Sequence, residues 1–84
     1  MSRKRKILQS VLSGTADRNI RFRDLRVLLK GLGFEERVRG DHYIFALSGV
    51  VEIINLQPCG SLAKPYQVKQ VRELALKYRL GESL

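Results

Sequence analysis

The sequence predicts an α+β domain in which helices cover one face of a small antiparallel sheet. Three observations lead there. Apolar residues recur at helical spacing near both ends of the chain and again over residues 22–32. Between them lie runs rich in β-branched and aromatic residues, His42 to Leu47 and Val50 to Leu56. The Ser48-Gly49 pair separating those runs is a hairpin turn signal.

Taken in order, Lys4 to Leu12 carries Ile7, Leu8, Val11 and Leu12 at helical spacing, and Ser13-Gly14 supplies a stop. Its basic residues cluster at the start, the unfavourable end for the helix dipole. They form a run that meets a partner or a solvated end. Thr15 to Asn19 is polar and reads as a loop. Phe22 to Leu32 is the clearest helix, with Phe22, Leu25, Leu28, Leu29 and Leu32 on one stripe. Asp24 falls in its first turn, where a negative charge suits the dipole, and Gly33 is a natural residue to end it.

Phe34 to Arg39 reads as a first strand, although charge interrupts it. Within the second strand, parity puts Tyr43, Phe45 and Leu47 on one face and His42, Ile44 and Ala46 on the other. The aromatics belong against the helices, because a thin core needs their area. That leaves His42 on the open face or its rim. A two-residue turn at Ser48-Gly49 pairs His42 with Asn55, and a three-residue turn pairs it with Ile54. Gln57 to Lys64 reads as a loop. Pro65 opens the last helix at its favoured N1 position, with Val68, Val71, Leu74, Ala75 and Tyr78 as its stripe and Gly81 as its end. The order is helix, helix, three strands, helix. Without the first helix it is α-β-β-β-α, the order of a double-stranded-RNA-binding domain with an extra N-terminal helix. We divide the chain into an N-terminal helical extension and loop, 1–19, and the domain proper, 20–84.

Composition narrows the function. Sixteen Lys and Arg against eight Asp and Glu leave a net charge of +8 on 84 residues. That points to an anionic partner: nucleic acid, an acidic protein or a membrane surface. A chain this short buries only about 60–65% of its unfolded surface, which leaves little room for a deep cofactor cavity. Cys59 is the only cysteine, so neither an internal disulfide nor a Cys-rich zinc site can form. No apolar run approaches the roughly 20 residues of a membrane span. Ser2 to Lys6 begins like a signal peptide, but the apolar run behind it is short and interrupted, so a cytoplasmic protein is expected.

His42 is the only histidine, set between the turn signal Gly40-Asp41 and a strand. An ordinary imidazole titrates near pH 6.5, so proton transfer is within easy reach at neutral pH. Arg37 and Arg39 lead into the same turn. Lys64, Lys69 and Arg72 lie near the start of the last helix, where free N–H groups attract anions. Arg37, Arg39, Lys64 and Lys69 are the candidate RNA-binding residues. Tyr43 and Tyr66 could stack on bases, Tyr43 being more at home in the core. Asp41, Glu52 and His42 are too few and too scattered to read as a metal site, and no motif joins Cys59 to His42.

Several segments together resemble the HicA toxins. They are Ile20-Arg21-Phe22-Arg23-Asp24-Leu25, Leu28-Leu29-Lys30, Leu32-Gly33-Phe34, Arg39 to Phe45, Glu52 to Gln57 and Lys64 to Val71. The likeness covers about residues 20 to 80. In the family a Gly-Ser-His motif carries the catalytic histidine; here Gly40 and His42 match and Asp41 stands in place of the serine. The resemblance implies a double-stranded-RNA-binding-like fold, cleavage of mRNA and inhibition by a HicB antitoxin. RNA carries its own nucleophile, the 2′-hydroxyl, so one histidine with cationic groups suffices. The expectation is an mRNA interferase with His42 as its catalytic residue, no metal and no small-molecule cofactor. The alternative is a non-catalytic RNA- or DNA-binding domain of the same fold.

Overall fold

The computed structural model describes residues 2–82 and 84. The first helix, α1 (Arg3–Ser13), starts behind Ser2, whose hydroxyl accepts from the Arg5 N–H at 3.1 Å. Capping of this kind satisfies one of the helix's unpaired first-turn donors. The helix ends at Gly14, where φ of +72° turns the chain. Ile7, Leu8 and Val11 are buried, while Leu12, expected on the same stripe, is exposed. Contacts of α1 run to α2 (Phe22–Gly31) and α3 (Pro65–Lys77). Its buried side chains therefore belong to the one core that all three helices share with the sheet. The loop after α1 is tied down as well. Asp17 accepts two hydrogen bonds from Arg72 at 2.8 and 3.1 Å, and Arg72 also donates to the Val11 carbonyl.

Helix α2 buries Phe22, Leu25, Leu28 and Leu29; Leu32, at the C-cap, is only half-buried. The strands β1 (Glu35–Arg39), β2 (His42–Ala46) and β3 (Ile54–Leu56) form an antiparallel sheet in the order β1-β2-β3. The ladder sets Glu36, Phe45 and Ile54 in one row and Val38, Tyr43 and Leu56 in the next. Phe45, Ile54 and Leu56 are fully buried against the helices. Tyr43 meets Phe22 edge-on at 4.9 Å between ring centroids and carries the Arg26 guanidinium on its face. The charge that interrupts β1 has a structural use. Glu36 faces the helices and accepts from Arg26 at 2.7 and 3.0 Å, which holds its carboxyl below the usual range.

Two sequence expectations need correction. The Ser48-Gly49 turn does form, with Val50 N–H donating to Leu47 at 3.0 Å, but pairing resumes only at Ile54, not Val50. The chain is drawn away in between, because Glu52 accepts from Lys77 and Tyr78 at the far end of α3. His42 consequently pairs with neither Asn55 nor Ile54; Asn55 lies opposite Ile44. One further step along the ladder sets Gln57 across from His42. The expected loop over 57–64 also contains a small hairpin, β4 (Pro58–Cys59) with β5 (Leu62–Ala63). It is stitched to the start of α2 through Phe22 N–H to Ser61 and Ala63 N–H to Ile20. Among the described residues no helix is long and apolar enough to cross a membrane.

Candidate active site

The site is built on the face of the sheet that the helices leave bare. β1 and β2 are joined by Gly40 and Asp41 alone, and Gly40 takes φ of +59° while Asp41 does not enter the left-handed region. That is the pattern of a type II′ hairpin turn, which asks for glycine at its first central position. The turn closes on the pair Arg39↔His42. His42 is therefore the first residue of β2, at the lip of the hairpin, and 47% of its side-chain surface is open to solvent.

Directly opposed residues in an antiparallel pair project to the same face with Cβ atoms about 5 Å apart. Arg39 opposes His42 and Arg37 opposes Ile44, so both arginines share the open face with the histidine. Both are exposed and have no ion-pair or hydrogen-bond partner among the described residues. Lys64, the N-cap of α3, reaches the same place from the other side, donating to Gln57 Oε1 at 3.5 Å. Lys69 does not join them. It is exposed, about a third of a turn around α3 from the buried stripe of Val68, Val71 and Ala75. Arg72, counted among the cations at the helix start, is committed to Asp17. Tyr43 faces the core, whereas Tyr66 is exposed in the first turn of α3.

Around the imidazole the contacts are polar. Nδ1 lies 3.2 Å from Asn55 Oδ1 and Nε2 lies 3.3 Å from Gln57 Nε2. The Gln57 amide nitrogen also donates to Asp41 Oδ2 at 3.3 Å, and Asp41 Oδ1 stands 3.7 Å from His42 Nε2. Glu52, weighed with Asp41 as a metal ligand, is instead bound to Lys77 and Tyr78. Among the described residues no group of three His, Cys, Asp or Glu comes together. Cys59 is exposed in the small hairpin. His42 lines neither of two depressions in the surface. One of about 270 Å³ runs between α1 and the start of α2, and one of about 400 Å³ lies beside Leu47. The histidine stands on an open ledge of the sheet.

Asn55 and Gln57 are the site residues that sequence reasoning passed over. A signal was present: two amides, two apart in a strand, must project to one face. Only the register shows that the face is that of His42. Set on this fold, the site is a solvent-open histidine flanked by unpaired cations on a basic α+β domain. No family model, curated protein or solved structure matches the chain.

Proposed function

We propose that this chain is a HicA-type mRNA interferase, the toxin of a type II toxin–antitoxin pair, with a double-stranded-RNA-binding-like fold. The observation that carries the reading is the cross-strand pair Arg39↔His42 on the uncovered sheet face. It sets a proton-transfer group beside a cation with no internal partner, on a chain of net charge +8. Order supports it too: the first helix and the small β4–β5 hairpin aside, α2, β1-β2-β3 and α3 follow the α-β-β-β-α sequence of that fold.

In this reading RNA lies across the open face, and Arg37, Arg39 and Lys64 receive its phosphates. His42 removes the proton of a 2′-hydroxyl. The 2′ oxygen attacks the adjacent phosphorus and the bond to the 5′ oxygen breaks; that oxygen takes a proton from solvent, to which the imidazolium returns its own, so a 2′,3′-cyclic phosphate and a 5′-hydroxyl result. Arg39 neutralises charge that builds on the phosphoryl oxygens. Asp41 stabilises the imidazolium formed by the first transfer. Lys69 extends the basic surface without touching the reacting group. A ribonuclease free in the cytoplasm must be held inactive, and a basic face fits an acidic inhibitor of the HicB kind.

The test is cleavage of a long single-stranded RNA by wild-type and His42→Ala protein, with and without chelator. A positioned acid or base is worth roughly 10²–10⁴-fold, and that loss is expected with a native circular-dichroism spectrum and unchanged RNA affinity. Chelator should leave the wild-type rate unchanged. Cutting at the wild-type rate by His42→Ala overturns the assignment. Tight binding without cleavage by wild-type protein identifies a non-catalytic RNA-binding domain instead.

A further inference from the structure

The polar groups around His42 form a chain with a fixed direction. An ammonium group only donates, so the Gln57 amide turns its oxygen to Lys64. An ionised carboxylate only accepts, so the same amide turns its nitrogen to Asp41. Two groups of fixed polarity thus set one amide, and they agree. The nitrogen so placed lies 3.3 Å from His42 Nε2, which must accept. A neutral imidazole that accepts at Nε2 carries its proton on Nδ1, and Nδ1 faces Asn55 Oδ1 at 3.2 Å. Donation therefore runs Lys64 to Gln57 to His42 to Asn55.

The backbone under this chain is held as well. Gln67, the one buried polar side chain among the described residues, lies at the outer edge of β3. With its amide oriented so that both atoms are satisfied, it donates to Gln57 O at 3.3 Å and accepts from Gln57 N–H at 3.0 Å. A buried amide gripping both backbone groups of one residue fixes where that residue's side chain is aimed.

We propose that Asn55 and Gln57 are positioning residues that hold neutral His42 in its Nδ1–H tautomer, leaving the Nε2 lone pair as the base. Gln67 and Lys64 serve the same end by fixing Gln57. The proposal rests on the nuclease reading for its consequence, not for its geometry. Every charged or titratable group facing the ring enters it: Arg39 from β1, Asp41 from the turn, and Lys64 from α3 by way of Gln57. As RNA binds, the 2′-hydroxyl displaces the Gln57 amide from Nε2 and donates there in its place.

The measurement is the ring-nitrogen spectrum of ¹⁵N-labelled protein at about pH 8, where an ordinary imidazole is neutral. Wild-type protein should show a protonated Nδ1 and an unprotonated Nε2. Asn55→Asp keeps an acceptor at Nδ1 and should keep that tautomer. Gln57→Glu replaces a donor by an acceptor and should put a proton on Nε2, with cleavage falling roughly 10²–10⁴-fold, the scale of losing a base or trapping it in the wrong protonation state. A purely structural role for Gln57 would leave the tautomer unmoved. Wild-type protein with its proton on Nε2, or Gln57→Glu protein with Nε2 still unprotonated, overturns the proposal. The wild-type and Asn55→Asp spectra decide it even if Gln57→Glu does not fold. The expected tautomers in a protein that cuts no RNA uphold the positioning and discard the nuclease.

Discussion

Replacing Arg39 by alanine removes the cation directly across the ladder from the histidine while touching nothing that holds the fold. The side chain is exposed and unpaired among the described residues, so stability should stay within about 0.5 kcal/mol of wild type. Binding should change in a way that counts charges. Three unpaired or lightly held cations, Arg37, Arg39 and Lys64, converge on the site. On single-stranded RNA each phosphate contact contributes a slope of about 0.7 in log affinity against log salt. Raising salt fourfold, from about 50 to about 200 mM, should then weaken binding about 20-fold with three contacts and about 7-fold with two. The assay is fluorescence anisotropy of a labelled single-stranded RNA in a His42→Ala background, which prevents cleavage during the titration. Arg72→Ala, checked for folding, is the control: its guanidinium is bound to Asp17 and the Val11 carbonyl, so the slope should stay as it is. If Arg39→Ala leaves the slope unchanged, or Arg72→Ala lowers it equally, RNA does not lie on this face.

Two predictions concern the scaffold. Asp17→Ala leaves the largely covered Arg72 guanidinium with the Val11 carbonyl as its remaining partner, and should cost about 1–2 kcal/mol of stability by urea unfolding; an unchanged midpoint would show that the Asp17–Arg72 pair does not hold the loop after α1 in place. The Glu52 carboxyl is held down to about 2 by hydrogen bonds from Lys77 first and then Tyr78. In an unfolded or released loop it titrates near an ordinary 4.3. Within that window the released state binds more protons, so anchoring of residues 47–53 is full above about pH 4.5 and is lost as pH falls toward 2. Amide resonances of Val51 should shift across this range in wild-type protein and already at neutral pH in Glu52→Gln; identical spectra of the two proteins throughout would refute the anchor.

Much of the scaffold was legible because its signals are local. The stripe Phe22-Leu25-Leu28-Leu29 is a helix face in any surroundings, and Pro65 and Gly14 mark helix ends by their own backbone chemistry. Parity along β2 correctly separated Tyr43 and Phe45 from His42, since alternation follows from the pleat alone. The β3 boundary was not legible. Val50, Val51 and Ile53 have strand propensity, but an ion pair with a helix more than twenty residues later holds the chain off the sheet. The exposed Val51 and Ile53 are the residue of that competition.

The sequence alone determined the antiparallel α+β order, the basic balance and the place of a single histidine beside a Gly-Asp turn, because propensity, charge and turn chemistry are properties of neighbours. Tertiary structure decided which cations matter. Arg72 and Arg26 look like Arg37 and Arg39 in the sequence, yet the first two are bound to Asp17 and Glu36, and the latter two face solvent beside the histidine. It also decided the surroundings of His42. Asn55, Gln57, Lys64 and Gln67 come within reach of the ring or of one another only once β3 has taken its register against β2 and α3 has docked along its edge. A one-residue slip would have turned both amides to the opposite face, so the chemistry of the site is a consequence of packing and not of any one motif.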